Sequence, residues 1–179
     1  MYANDFFEIP QALKSNELLR TKVEELIKTR PMPGKALEGD NRVEKFKEIL
    51  IEVIYSRISL ENSYELVENN LPIAESPHSN NTRVFPSGWS ERLVRIQLSR
   101  FYNQAVLEEL QNNNIEVCFI PHSEKESADS KCTTELAGKQ NNVSNLLNLL
   151  IDTYENGNFT TDAKIPNHPH CTHVIKPIQ

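Results

Sequence analysis

Apolar positions recur every three or four residues along most of this chain, which predicts amphipathic helices. Leu19, Val23, Leu26 and Ile27 form one such stripe, on a helix that Ser15 can cap and that runs to about Arg30. Pro31-Met32-Pro33-Gly34 stops it, because Pro cannot donate a backbone hydrogen bond and disfavours helix in the residue before it. A second stripe, Val43, Phe46, Leu50, Val53, Ile54 and Ile58, follows a cap at Asp40 or Asn41. Ser59 opens a third, with Leu60, Tyr64, Val67 and Leu71, and Pro72 closes it. Each stripe has to be buried against something, so the first 72 residues predict a packed helical group.

Residues 72–82 are polar and predict a loop. The pattern then changes. Thr82-Arg83-Val84-Phe85-Pro86 is a short strand candidate, and Ser87-Gly88 leads into the longest helix, about 88–111. Its apolar positions (Leu93, Val94, Leu98, Phe101, Tyr102, Ala105, Val106, Leu110) make a stripe broad enough for a central helix. Ile115–Ile120 reads as the best strand, ended by Pro121, and a polar loop covers 121–133. A last helix carries Val143, Leu146, Leu147, Leu150 and Tyr154, with Gly157 where a C-terminal cap belongs. His173–Ile178 closes as a strand. The expected fold is therefore α+β and mostly helical: an N-terminal helical group followed by a small β-α-β-α-β layer. One domain spans 1–179, with a subdivision at 1–72 and 82–179 as the alternative.

Composition narrows the class. With 19 Lys and Arg against 25 Asp and Glu the net charge is −6, so there is no overall pull toward nucleic acid or an anionic membrane. Nothing approaches an apolar membrane span, and the first residues lack the basic and apolar regions of a secretory signal. Three widely spaced cysteines, Cys118, Cys132 and Cys171, do not make a disulfide framework. The expectation is a cytoplasmic protein. The Asn pairs and the Asn112–Asn114 run mark turns and helix ends.

Two segments hold candidate chemistry. The run His168-Pro169-His170-Cys171-Thr172-His173 holds three of the five histidines. Pro169 favours an extended His168, and in an extended chain residues i and i+2 face the same way, which pairs His168 with His170. Zinc takes three or four nitrogen and sulfur ligands. The others would come from His122 or Cys132 in the 121–133 loop, or from Cys171. The second segment is the junction Pro86–Arg95. A helix N-terminus presents free N–H groups, Ser87, Gly88 and Ser90 are small, and Arg83, Arg92 and Arg95 are close in sequence. A phosphate-bearing ligand or a nucleic-acid backbone fits that set, although Glu91 and Arg95 are spaced to pair with each other.

Weaker signals complete the inventory. Cys132 follows His122 by ten residues and neighbours Lys131, the ingredients of an activated thiol. Glu124, Glu126 and Asp129 follow the strong strand, where carboxylates can hold magnesium. Cys118 and Trp89 read as core residues. No catalytic set is complete by spacing. The first expectation is thus a binding or regulatory module that recognises a protein partner or a phosphate-bearing ligand, with homodimerisation through the helical stripes. The alternative is a zinc- or magnesium-dependent hydrolase or nuclease-like protein using the His168–His173 segment and the 121–133 loop.

Overall fold

The computed structural model describes residues 1–178 and has a mostly helical α+β fold with a small three-stranded antiparallel sheet. Helices α1 (Ile9–Ser15), α2 (Glu17–Thr29), α3 (Arg42–Ile54) and α4 (Leu60–Asn70) form the N-terminal group. They pack around α5 (Trp89–Asn112), with α6 (Val143–Tyr154) beside it. The strands β1 (Val117–Ile120), β2 (Lys139–Asn142) and β3 (Lys176–Pro177) lie in the order β2-β1-β3. Among the described residues, no helix is long and apolar enough to cross a membrane.

α5 is the axis of the molecule. Every residue from Gln97 to Leu107 is buried, so the helix is covered on all sides. That length of buried helix has to satisfy its polar side chains internally. Tyr102 accepts the Ala3 N–H at 2.8 Å, and Asn103 Oδ1 accepts the Ile175 N–H at 2.7 Å. Arg100 lies under α6, 3.8 Å from Glu155, with its guanidinium 4.3 Å from the Phe101 ring centre. Burial pulls the Arg100 pKa down to about 10. A single cluster of buried apolar side chains runs from Ala3 to Ile175.

Four local expectations change. The cap expected at Ser15 lies one residue on, at Asn16, which is extended (φ −124°) and caps α2 by accepting the Leu19 N–H at 3.1 Å. Ser15 instead bonds back into α1. The strand expected at 82–86 is a turn, because Asn81 draws in the N–H groups of Arg83, Val84 and Phe85. Phe85 then stacks edge-on against Trp89, 5.0 Å between ring centres. The closing strand is short because the Ile175 N–H is already given to Asn103, so its ladder to β1 begins at Lys176. The remaining strand is β2, whose polar, mostly exposed residues give no apolar alternation to read.

Candidate metal centre

Two irregular segments meet beside α5. The first leaves β1 at Pro121, turns at Ser123–Glu126, and enters a π-helical turn at Cys132–Leu136 before β2. The second is the C-terminal segment, laid across the core by three tethers. Arg95 reaches the His170 carbonyl at 3.4 Å, Thr172 accepts the Phe6 N–H at 2.8 Å, and Ile175 is held by Asn103. These tethers dictate which side chains of residues 168–175 point inward.

The result is a cluster of sulfur and nitrogen atoms. Cys132 Sγ, Cys171 Sγ and a His173 ring nitrogen all lie within 4.8 Å of one another. The two sulfurs are 3.7 Å apart, and His173 Nδ1 is 3.8 Å from Cys171 Sγ. His168 Nε2 approaches Cys132 Sγ at 3.7 Å from the half-buried side. Cys132, Cys171 and His173 are 0%, 2% and 1% exposed. A tetrahedral zinc with ordinary bond lengths sets its ligand atoms about 3.8 Å apart for two sulfurs and about 3.6 Å apart for sulfur and nitrogen. The Cys132–Cys171 and Cys171–His173 spacings are close to those edges, and the third side of the triangle is no longer than 4.8 Å. A disulfide needs sulfurs at about 2.05 Å, so both cysteines are free thiols.

Glu126 orients the cluster from behind. Its Oε2 takes His173 Nε2 at 2.8 Å, and its Oε1 takes His122 Nδ1 at 2.7 Å. A carboxylate on one imidazole nitrogen fixes the tautomer and leaves the other nitrogen free to ligate. Here that leaves His173 Nδ1, the atom facing Cys171. Burial raises the Glu126 pKa, but the Ser123 N–H and the two histidines outweigh it and hold the carboxyl ionised. Burial likewise disfavours the charged imidazole of His173, while Cys132 and Glu126 favour it more strongly, so its pKa is raised.

The thiols are polarised in opposite directions. Cys171 donates to Cys132, and this hydrogen bond, with help from His168, His173 and Ser130, holds the Cys132 thiol far below its usual range despite burial. The same bond and burial push Cys171 up. Cys132, Cys171, His173 and Glu126 therefore form one continuous chain of polar contacts. The Cys132 side chain is fully buried.

No family model matches the chain, and neither a curated protein nor a solved structure matches it significantly. The geometry is the only guide to function.

Of the four residues expected as metal ligands from sequence, Cys132 and His168 are adjacent. His122 is exposed and touches the cluster only through Glu126, and His170 is exposed outside it. His168 and His170 are separated because the chain turns there, with the Cys171 N–H bonded to the His168 carbonyl at 3.0 Å. The i, i+2 rule applies one step further on, where Cys171 and His173 share a face. His173 was legible by that rule; the role of Glu126, 47 residues from His173, had no local signal.

The residues of the expected anion site are only partly brought together. Ser90 donates to Glu68 at 2.7 Å, and the buried Arg95 pairs with Glu91 at 3.3 Å, its guanidinium 4.8 Å from the Phe6 ring centre. Gly88 takes a left-handed conformation (φ 73°) to open α5, and Ser87 is exposed next to it. Arg83 and Arg92 flank a shallow hollow of about 290 Å³ floored by Trp89. Cys118 is buried on β1, where burial raises its pKa to about 11.

Proposed function

We propose that this protein is a zinc protein in which Cys132, Cys171 and His173 Nδ1 hold one Zn²⁺, with His168, whose Nε2 touches Cys132 Sγ but lies outside that triangle, swinging in to take the fourth position. The observation that carries this reading is the buried triangle of two sulfurs and a nitrogen, two of its sides close to tetrahedral-edge length, backed by a carboxylate on the far nitrogen of the ligating histidine. A mixed thiolate–imidazole set of this geometry suits zinc. The role supported is structural. Cys132, Cys171 and His173 are buried, as in closed zinc sites, and they join segments 39 residues apart in sequence. Ligating metal at such a junction couples binding free energy directly to folding.

Cobalt titration of untagged, chelator-treated, reduced protein tests the ligand set. Co²⁺ should give tetrahedral d–d bands and a thiolate charge-transfer band at one equivalent. Cys171→Ser should weaken the charge-transfer band, and Cys132→Ser with Cys171→Ser should abolish it. His168→Ala should keep the charge-transfer band with weaker affinity. A wild-type protein without thiolate charge transfer, or a double variant that retains it, would sink the reading.

A further inference from the structure

His168 has a second neighbour. Its ring is part of the wall of a cleft of about 350 Å³ between α5 and the segment that follows α6. This volume lies at the small end of ligand pockets, about 300–1,000 Å³. Leu93 and Ile96 of α5 supply an apolar wall, and Phe159, which is 80% exposed, stands at the rim.

The polar part of the lining is unbalanced. Lys164 lines the cleft and is only 4% exposed, yet it makes no ion pair among the described residues. Its ammonium is held by the carbonyls of Thr160 at 3.2 Å and Asp162 at 2.9 Å, which uses two of its three protons. No Asp or Glu lines the cleft. Thr153, 2% exposed, also lines it, and its hydroxyl has no hydrogen-bond partner. A buried cation ordinarily has an anion beside it, and a buried hydroxyl ordinarily has a partner. Burial lowers the Lys164 pKa, and the Asp162 carboxylate, which raises it, offsets only part of that cost while Lys131 adds to it.

We infer that the cleft binds a small apolar carboxylic acid, with its carboxylate on the Lys164 ammonium and its hydrocarbon body between Leu93, Ile96 and Phe159. The inference goes beyond the zinc reading and rests on it only where His168, held by the metal, forms part of the wall. No bond is made or broken; the complex is an ion pair in an apolar sleeve.

Phenylacetate and its neutral isostere phenylacetamide separate the charge from the shape. Both would be titrated into untagged, ¹⁵N-labelled full-length protein whose zinc content is measured on the same sample. Phenylacetate should shift amide signals around residues 159–168 saturably, and phenylacetamide should bind at least about tenfold more weakly, a difference of about 1.4 kcal/mol. Lys164→Met should erase that preference. Leu93→Trp, which fills the cleft from a half-buried position, should abolish binding of both. Equal binding of the two probes, or no saturable shift with phenylacetate, would overturn the inference. A zinc-loaded protein that ignores phenylacetate removes this inference and leaves the metal centre standing. A folded, zinc-free protein that binds it does the reverse.

Discussion

Glu126 is the residue on which the metal centre's precision depends. It touches no sulfur, yet it decides which nitrogen of His173 faces Cys171. Its replacement by Gln keeps a hydrogen-bonding oxygen but removes the charge. Glu126→Gln should therefore still bind zinc, with affinity lowered about 10–100-fold, the usual cost of losing such a partner. Competition against a chromophoric chelator measures this directly; unchanged affinity would show that the carboxylate does not support a ligand. Single residues were legible where their chemistry was local. The His168–His173 run and Cys132 stand out from sequence by residue type alone. Glu126 stood out only as one of three carboxylates after the strong strand, because only folding brings it to His173.

At the level of elements, the helices were legible and the strands less so. The stripes of α3, α4 and α6 obey a 3.6-residue period, and their buried residues follow it, whereas α5 is buried on every side from Gln97 to Leu107. β2 has no such period: Lys139, Gln140 and Asn142 face water, and the strand exists because β1 needs a partner. It hands directly to α6, whose cap is Asn142, accepting the Asn145 N–H at 2.9 Å. Asn142→Ala should cost about 1 kcal/mol of stability, as loss of an N-cap does. Urea unfolding monitored by circular dichroism would read it, and a change indistinguishable from zero would mean that the hairpin, not the cap, starts α6. The strand expected at 82–86 was misread because Val84 and Phe85 have strand-like side chains, while Asn81 controls their backbone.

The whole molecule combines a continuous helical core with two irregular segments that have little regular structure of their own. Residues 121–136 and 155–175 include no strand and no α-helix, and the cluster of Cys132, Cys171 and His173 is where they meet. The sequence pointed to both segments as places for chemistry, but not to their contact, which is set by tethers from Phe6, Arg95 and Asn103 on distant elements. If zinc fixes that contact, its removal should loosen the molecule as a unit. At a free zinc concentration about a thousand times the dissociation constant, the linked stabilisation is about 4 kcal/mol. For a chain of this size that corresponds to a Tm about 10 °C higher than that of the chelator-treated protein. The central claim is tested most directly by elemental analysis of untagged wild-type protein, purified under reducing conditions without chelator, beside the Cys132→Ser, Cys171→Ser double variant. One zinc per wild-type chain and none in the folded double variant is the predicted result. A folded wild-type protein without stoichiometric metal would contradict it, as would a double variant that retains zinc in full.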